Sequence, residues 1–210
     1  MAAMSLADGR FDLLETMAFD PIEGIRLLEL HLERVKASAD ALGFAFDRHG
    51  LRNELQAATF RLRERSRVRL MVSRGGAVAI EVRDHRAWPG AIVPVKMVPR
   101  HAPADDLRLL HKTTDRSLYR DALKRGGTYE VGLIDAKGYV TEGCFSSIFV
   151  ERGEKLVTPP LSRGVLPGIL RRSLIDMGEA VEADLRVHDL DGGFFIGNAA
   201  RGMVAATLAH

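Results

Sequence analysis

The sequence predicts an α+β protein built from two small units, and three features lead there. Apolar residues recur at helical spacing early in the chain, at Ile25, Leu28, Leu32, Val35, Ala39 and Leu42, while Glu29, Glu33, Lys36 and Asp40 fall off that stripe. Alternating strand-like runs on either side of Arg74-Gly75-Gly76 read as a hairpin. A proline-broken stretch, Trp88-Pro89-Gly90 with Pro94, Pro99 and Pro103, then separates this part from a second half rich in strand-like runs. With 210 residues the chain is long enough for two small cores, and the boundary is expected near residue 90, giving units 1–90 and 91–210.

Taken in order, Phe11-Asp12-Leu13-Leu14-Glu15-Thr16-Met17 reads as a first strand, broken by Asp20-Pro21. The apolar stripe makes an amphipathic helix of about five turns, ended by Gly43. A second helix is expected at about Leu51 to Leu62, followed by strands Arg67 to Ser73 and Ala77 to Asp84 around the Gly-Gly turn. Arginines alternate with Leu, Val and Met between Arg61 and Arg74, so the first of these strands should keep a solvated face. The prolines between Asp84 and Asp106 leave room for one strand, Ala91 to Val98. A helix should open at Lys112 and run to about Lys124, ahead of Gly126-Gly127. Tyr129 to Asp135 is β-rich and closes in a turn at Lys137-Gly138; a strand around Glu142 and the alternating Phe145-Ser146-Ser147-Ile148-Phe149 follow. Thr158 to Arg171 is a loop that turns into a helix, and Phe194 to Val204 is two apolar strands with a polar tip.

Composition narrows the function classes. The 30 Lys and Arg are matched by 28 Asp and Glu, and the formal charge of +2 is spread along the chain, so nothing marks a nucleic-acid or membrane surface. The single cysteine cannot form an internal disulfide, and Met1-Ala2-Ala3-Met4-Ser5-Leu6-Ala7-Asp8 lacks the basic and apolar parts of a secretory leader. A cytoplasmic protein is expected. No apolar run approaches the roughly 20 residues that span a bilayer. No metal-ligand spacing, glycine-rich nucleotide loop or internal repeat is present, so no metal is expected. Cys144, with no partner base in view, reads as a small core residue.

Two stretches carry the chemistry. In Leu109-Leu110-His111-Lys112-Thr113-Thr114-Asp115-Arg116 the lysine stem starts from an apolar wall, where partial desolvation would lower its pKa and free the amine for Schiff-base chemistry. In Tyr139-Val140-Thr141-Glu142-Gly143-Cys144 a glutamate sits between a β-rich segment and a glycine turn, held at a fixed depth by the strand that follows. Three further places stand out. His31 and Arg34 lie three residues apart on the first helix and can meet at the edge of its stripe, though a snorkelling arginine fits there too. Pro167-Gly168-Ile169-Leu170-Arg171 opens a helix whose first N–H groups suit an anion, and Pro-Gly is equally a plain helix start. Asn198, in Gly197-Asn198-Ala199-Ala200-Arg201-Gly202, lines a polar tip or simply makes a turn.

Together, His-Lys-Thr-Thr-Asp-Arg and Val-Thr-Glu-Gly-Cys-Phe-Ser-Ser-Ile-Phe resemble the class IV aminotransferases, the fold type IV pyridoxal-phosphate enzymes. That family includes branched-chain and D-amino-acid aminotransferases and 4-amino-4-deoxychorismate lyase, and the lysine neighbourhood is most similar to the lyase branch. The likeness runs from Phe11 onward through five motifs in the family's order. It implies a small N-terminal α/β domain, a larger β-barrel-like C-terminal domain with helices, and pyridoxal 5′-phosphate as cofactor. Lys112 would hold the cofactor and then serve as the proton-transferring base. Glu142 would keep the pyridine nitrogen protonated, and Arg34, in a match to the family's His-x-x-Arg-Leu, would pair with the phosphate. The backbone at Gly168, Ile169 and Leu170 would cup that phosphate, with Asn198 beside it and Arg201 near a substrate carboxylate. Ser147 stands where the family usually carries Asn. Set against the longer aminotransferases, the chain is compact at its start, as the lyase-like sequences are.

The resemblance implies a small-molecule amino substrate, a homodimer, and a lyase step of folate biosynthesis that yields 4-aminobenzoate and pyruvate. An aminotransferase acting on branched-chain or D-amino acids is the alternative. A non-catalytic cofactor-binding protein on the same fold is a further one, against which the intact Lys112 and Glu142 argue.

Overall fold

Strand β1, Leu13–Asp20, is the centre of the first unit because both of its faces are covered: Leu13, Leu14, Glu15, Met17, Ala18 and Phe19 are all buried. The computed structural model describes residues 11–209, and the leader-free reading of Met1–Asp8 lies outside them. The chain up to His85 forms one compact unit together with His111–Arg116; Arg86–Leu110 and the chain from Ser117 onward form another.

In the first unit β1 pairs antiparallel with β2, Gly24–Ile25, and with β3, Ser66–Val72, which pairs with β4, Val78–Asp84; the sheet order is β2-β1-β3-β4. The strand β2 replaces the expected first turn of the helix. Asp20 accepts the N–H groups of Ile22 and Glu23 at 2.9 and 3.3 Å, which folds the chain back so that Ile25 pairs with Phe19. Helix α1 therefore spans Leu28–Leu42, and Gly43, at φ 69°, caps it in the left-handed region. Helix α2, Arg48–Thr59, starts earlier than expected because Asp47 caps the N–H groups of His49 and Gly50. Strand β3 alternates as its sequence predicts, with Ser66, Val68, Leu70 and Val72 inward. Its other face is not simply solvated: Arg67, Arg69 and Met71 are half-buried. The core joins Met17, Leu32, Val35, Ala39, Leu51, Leu55, Val68 and Leu70.

The second unit is a mixed eight-stranded sheet. Its strands are β5 (Ile92–Pro99), β6 (Glu130–Ile134), β7 (Val140–Gly143), β8 (Ser147–Arg152), β9 (Lys155–Thr158), β10 (Ala180–Glu182), β11 (Phe194–Asn198) and β12 (Gly202–Leu208). The order is β10-β9-β8-β11-β12-β5-β6-β7, with β10–β9, β12–β5 and β5–β6 parallel and the other pairs antiparallel. Helices α3 (Leu107–Leu110), α4 (Ser117–Gly126) and α5 (Ile169–Asp176) belong to this unit. Valines and isoleucines of β5, β7, β8 and β11 fill one core, and α4 closes another over Val131, Leu133 and the buried Cys144. The architecture is the α+β arrangement that the sequence predicts. Among the described residues no helix is long and apolar enough to cross a membrane.

Two glycines with similar backbone conformation test how far packing adds to conformational strain. Gly164 lies at φ 67°, and a Cβ there would fall 2.5 Å from the Ala104 carbonyl oxygen and 2.6 Å from its Cα. Gly153, at φ 63°, has open space around it. Gly153→Ala should cost about 1 kcal/mol and Gly164→Ala roughly 3 kcal/mol or more, read as the difference in urea unfolding midpoints. Equal losses would place the constraint in φ alone.

Candidate functional site

Lys112 does not open a helix. Residues 111–116 run extended along the start of β1: Leu14 N–H donates to the Lys112 carbonyl, Thr114 N–H to the Asp12 carbonyl and Asp12 N–H to the Thr114 hydroxyl, each at 2.9 Å, while Thr113 bridges Leu13. These ties to residues about a hundred positions earlier override the local helical signal, and α4 begins only at Ser117.

The lysine is thereby held in the first unit with Arg34 and His31 of α1, Glu15 of β1 and Arg69 of β3. Glu15, 1 % exposed, is the hub. It accepts from Arg34 Nε at 2.7 Å and Arg34 Nη2 at 2.6 Å, and its Oε2 lies 2.7 Å from His31 Nδ1. Burial alone would push this carboxyl up, but the Arg34 guanidinium and the His31 ring outweigh it and hold Glu15 well below the usual carboxylate range. Burial keeps His31 neutral against the pull of Glu15. Burial also lowers the Lys112 amine to about 7; Arg34, Arg116 and Arg69 push it the same way and Glu15 opposes them. The residue as a whole is half-buried, and desolvation acts on its amine. His111, beside it, meets the Ser38 hydroxyl at 3.0 Å.

The second unit holds the remaining sequence-predicted residues. Glu142, on β7, is buried; its Oε1 accepts from the Tyr119 hydroxyl at 2.7 Å and its Oε2 from Leu166 N–H at 3.0 Å. The second bond ties β7 to the loop that leads into α5. Gly168 is the N-cap of α5, and no side chain caps that end. A Cβ at Gly168 would fall 2.6 Å from the Ser147 hydroxyl, so glycine is what lets the Ser147 side chain pack this close to the start of α5. Ile169 is buried and Leu170 partly so, as the first residues of α5. Asn198 builds the tip between β11 and β12: its side-chain oxygen accepts from Ala200 and Arg201 N–H, and its amide donates to the Phe145 carbonyl, all at 3.0 Å. Arg201 donates to the Tyr129 hydroxyl at 2.6 Å, and its guanidinium carbon lies 5.1 to 5.7 Å from the ring centroids of Trp88, Tyr129 and Phe145.

Sequence reasoning passed over three residues that organise these places: Glu15, Tyr119 and Glu130. Glu15 and Glu130 carry a signal, a charged group beside apolar neighbours as in Leu13-Leu14-Glu15 and Glu130-Val131, and Tyr119, between Leu118 and Arg120, carries none. Glu130 is fully buried and accepts from Val131, Cys144 and Phe145 N–H and from the Ser146 hydroxyl, at 2.7 to 3.2 Å. It fixes the turn that follows Glu142.

The first unit thus holds a desolvated lysine among arginines, which suits an aldehyde cofactor, and the second holds a buried carboxylate and an uncapped helix start, which suits an anionic group. Residues 12–208 match the family of amino-transferase class IV, and the chain belongs to it. A Schizosaccharomyces pombe protein provisionally named aminodeoxychorismate lyase is 28 % identical over 182 residues, covering 82 % of this chain and 77 % of its own length. A Thermotoga maritima protein provisionally named branched-chain-amino-acid aminotransferase is 26 % identical and covers 85 % of this chain and 66 % of its own. Among solved structures, a Mesorhizobium loti protein provisionally named amino-acid aminotransferase superposes with a TM-score of 0.87 at 31 % identity, over 95 % of this chain and all of that one. Pyridoxal 5′-phosphate is the cofactor of this family, and the residues present fit it: Lys112 offers an amine lowered to about 7, and the first turn of α5 has no side-chain cap, so its backbone N–H groups suit an anion.

Glu130 should leave its mark on stability. Burial outweighs its four donors and pushes the carboxyl from 4.5 up to about 7. The folded state then binds more protons than the unfolded one between those values, so stability falls as pH rises through them, by about 3 kcal/mol in all. Urea unfolding at a series of pH values should show this slope in the wild type and its loss in Glu130→Gln; parallel profiles would contradict the assignment.

Proposed function

We propose that this class IV enzyme is a lyase that converts 4-amino-4-deoxychorismate to 4-aminobenzoate and pyruvate. The observation that carries the reading is the likeness, along most of both chains, to the fission yeast protein that bears that name. The Lys-Thr-Thr-Asp-Arg context of Lys112 and the Asn198 tip support it. On this reading the reaction belongs to folate biosynthesis, in the cytoplasm, and the working form is a homodimer.

When bound, pyridoxal phosphate supplies the electron sink that stabilises a carbanion beside the substrate amine. The chain's own residues do the rest. Lys112 Nζ would hold the cofactor, and its amine would take the proton from the substrate carbon that bears the amino group. An amine that titrates near 7 suits both tasks, since it can be neutral to accept the proton and charged to return it. The departing enolpyruvyl group takes up a proton and becomes pyruvate while the ring turns aromatic, so no outside oxidant or acceptor is needed. Arg34 gives the phosphate a charge-assisted partner whose direction is set by two bonds to Glu15. Glu142, fixed by Tyr119 and Leu166, would by its charge keep the cofactor's pyridine nitrogen protonated. Arg201, flanked by three aromatic rings, meets a carboxylate of a ring-bearing substrate.

The likeness to the Mesorhizobium loti and Thermotoga maritima proteins favours a second reading, an aminotransferase acting on branched-chain or D-amino acids. The two part on what becomes of the cofactor. A lyase given aminodeoxychorismate releases 4-aminobenzoate and pyruvate and regains its resting visible spectrum, and common L- and D-amino acids convert its cofactor slowly if at all. Rapid, stoichiometric pyridoxamine phosphate from a branched-chain or D-amino acid, with no aromatic product from aminodeoxychorismate, would overturn the lyase in favour of the aminotransferase.

A further inference from the structure

Glu15 is placed as no ordinary core residue is. A buried carboxylate with one partner is costly to keep; this one has two on the same helix, one turn apart, and takes Nε and Nη2 along one edge of the Arg34 guanidinium as well as His31 Nδ1. The two bonds to Arg34 fix the plane of the guanidinium as well as its position. The third decides the tautomer of His31. A neutral ring 2.7 Å from a carboxylate donates its Nδ1 proton, which leaves Nε2 as an acceptor, and that buried Nε2 has no hydrogen-bond partner among the described residues.

The charged and titratable groups bearing on Lys112 come from every element around it: Glu15 on β1, Arg34 and His31 on α1, Arg69 on β3 and Arg116 on its own segment. Three of these are permanent cations. Together with burial they drive the proton off the amine, and Glu15 is the carboxylate that pulls it back. Without that charge the Lys112 amine would be a weaker base, and too little of it would carry a proton to return. An amine that must both accept and return a proton has to hold it loosely near working pH.

We propose that Glu15 is the positioning residue of the Lys112 site: one buried carboxylate that aims Arg34, fixes the tautomer of His31 and supplies the negative charge against which Lys112 keeps a returnable proton. The proposal rests on the reading of Lys112 as the working amine, but its test does not use the reaction. In the cofactor-free protein, the rate at which a small amine reagent labels Lys112, followed peptide by peptide in mass spectrometry across pH, gives the midpoint of its ionisation. Electrostatics and packing predict opposite signs for Glu15→Gln, which keeps the shape and removes the charge. Loss of the charge lowers the midpoint by about one pH unit or more. A loosened site readmits water and raises it toward an ordinary lysine.

Glu15→Gln removes the carboxylate that pairs with Arg34, and if that protein does not fold the same comparison is made in the Arg34→Gln background, where Glu15→Gln should again lower the midpoint. Glu15→Asp, which keeps the charge, should stay close to the wild type. An unchanged or raised midpoint on loss of the Glu15 charge, in whichever background folds, would overturn the proposal. Failure of borohydride to trap the cofactor on Lys112 would instead overturn the underlying reading and leave the Glu15 result standing.

Discussion

Burial of charge is the constraint on which the rest depends. Moving Glu15 out of water is unfavourable unless its oxygens are fully paired, and the fold meets that condition with two residues one helical turn apart on α1. Register follows from it. Because β1 side chains alternate, a slip of one residue would turn Glu15 away from α1, so the ion pair and the apolar contacts of Met17 and Leu13 must be satisfied together. The extended segment 111–116 is then laid along β1 by backbone bonds, which brings Lys112 under the influence of the same charges.

The second unit handles two further carboxylates differently. Glu130 is surrounded by four donors, and burial still pushes it up to about 7. Glu142, twelve residues on, is held by a tyrosine hydroxyl and a backbone N–H. The first serves to build the turn at Gly143, where a Cβ would strike Ser146 and approach Glu130 itself; the second ties β7 to Tyr119 and to the loop before α5, and is the one we propose for the cofactor. Environment, more than residue type, separates a structural carboxyl from a working one.

Much of this was legible in the sequence, and the gaps have a common cause. The α1 stripe, the Gly43 stop, the hairpin at Gly75-Gly76 and the strand around Glu142 are local patterns, and they stand as read. The helix start at Ile25 and the helix at Lys112 were misread because each segment pairs with β1, and periodicity within a window cannot register a partner elsewhere in the chain. Arg69 was read as part of a solvated face for the same reason: alternation shows which side it is on, not what covers that side. Lys112 and Glu142 were found by motif. Glu15 and Glu130 have none, and only the rarity of a charge inside an apolar strand could have marked them.

The central claim is that the fold delivers Lys112 as an amine that titrates near neutrality before any cofactor arrives. Its most direct test is an NMR titration of the cofactor-free protein carrying labelled lysine, with the Lys112 signal assigned by its loss in Lys112→Arg. The account predicts a midpoint at about 7 for this lysine. A midpoint near the ordinary 10.5 would contradict it.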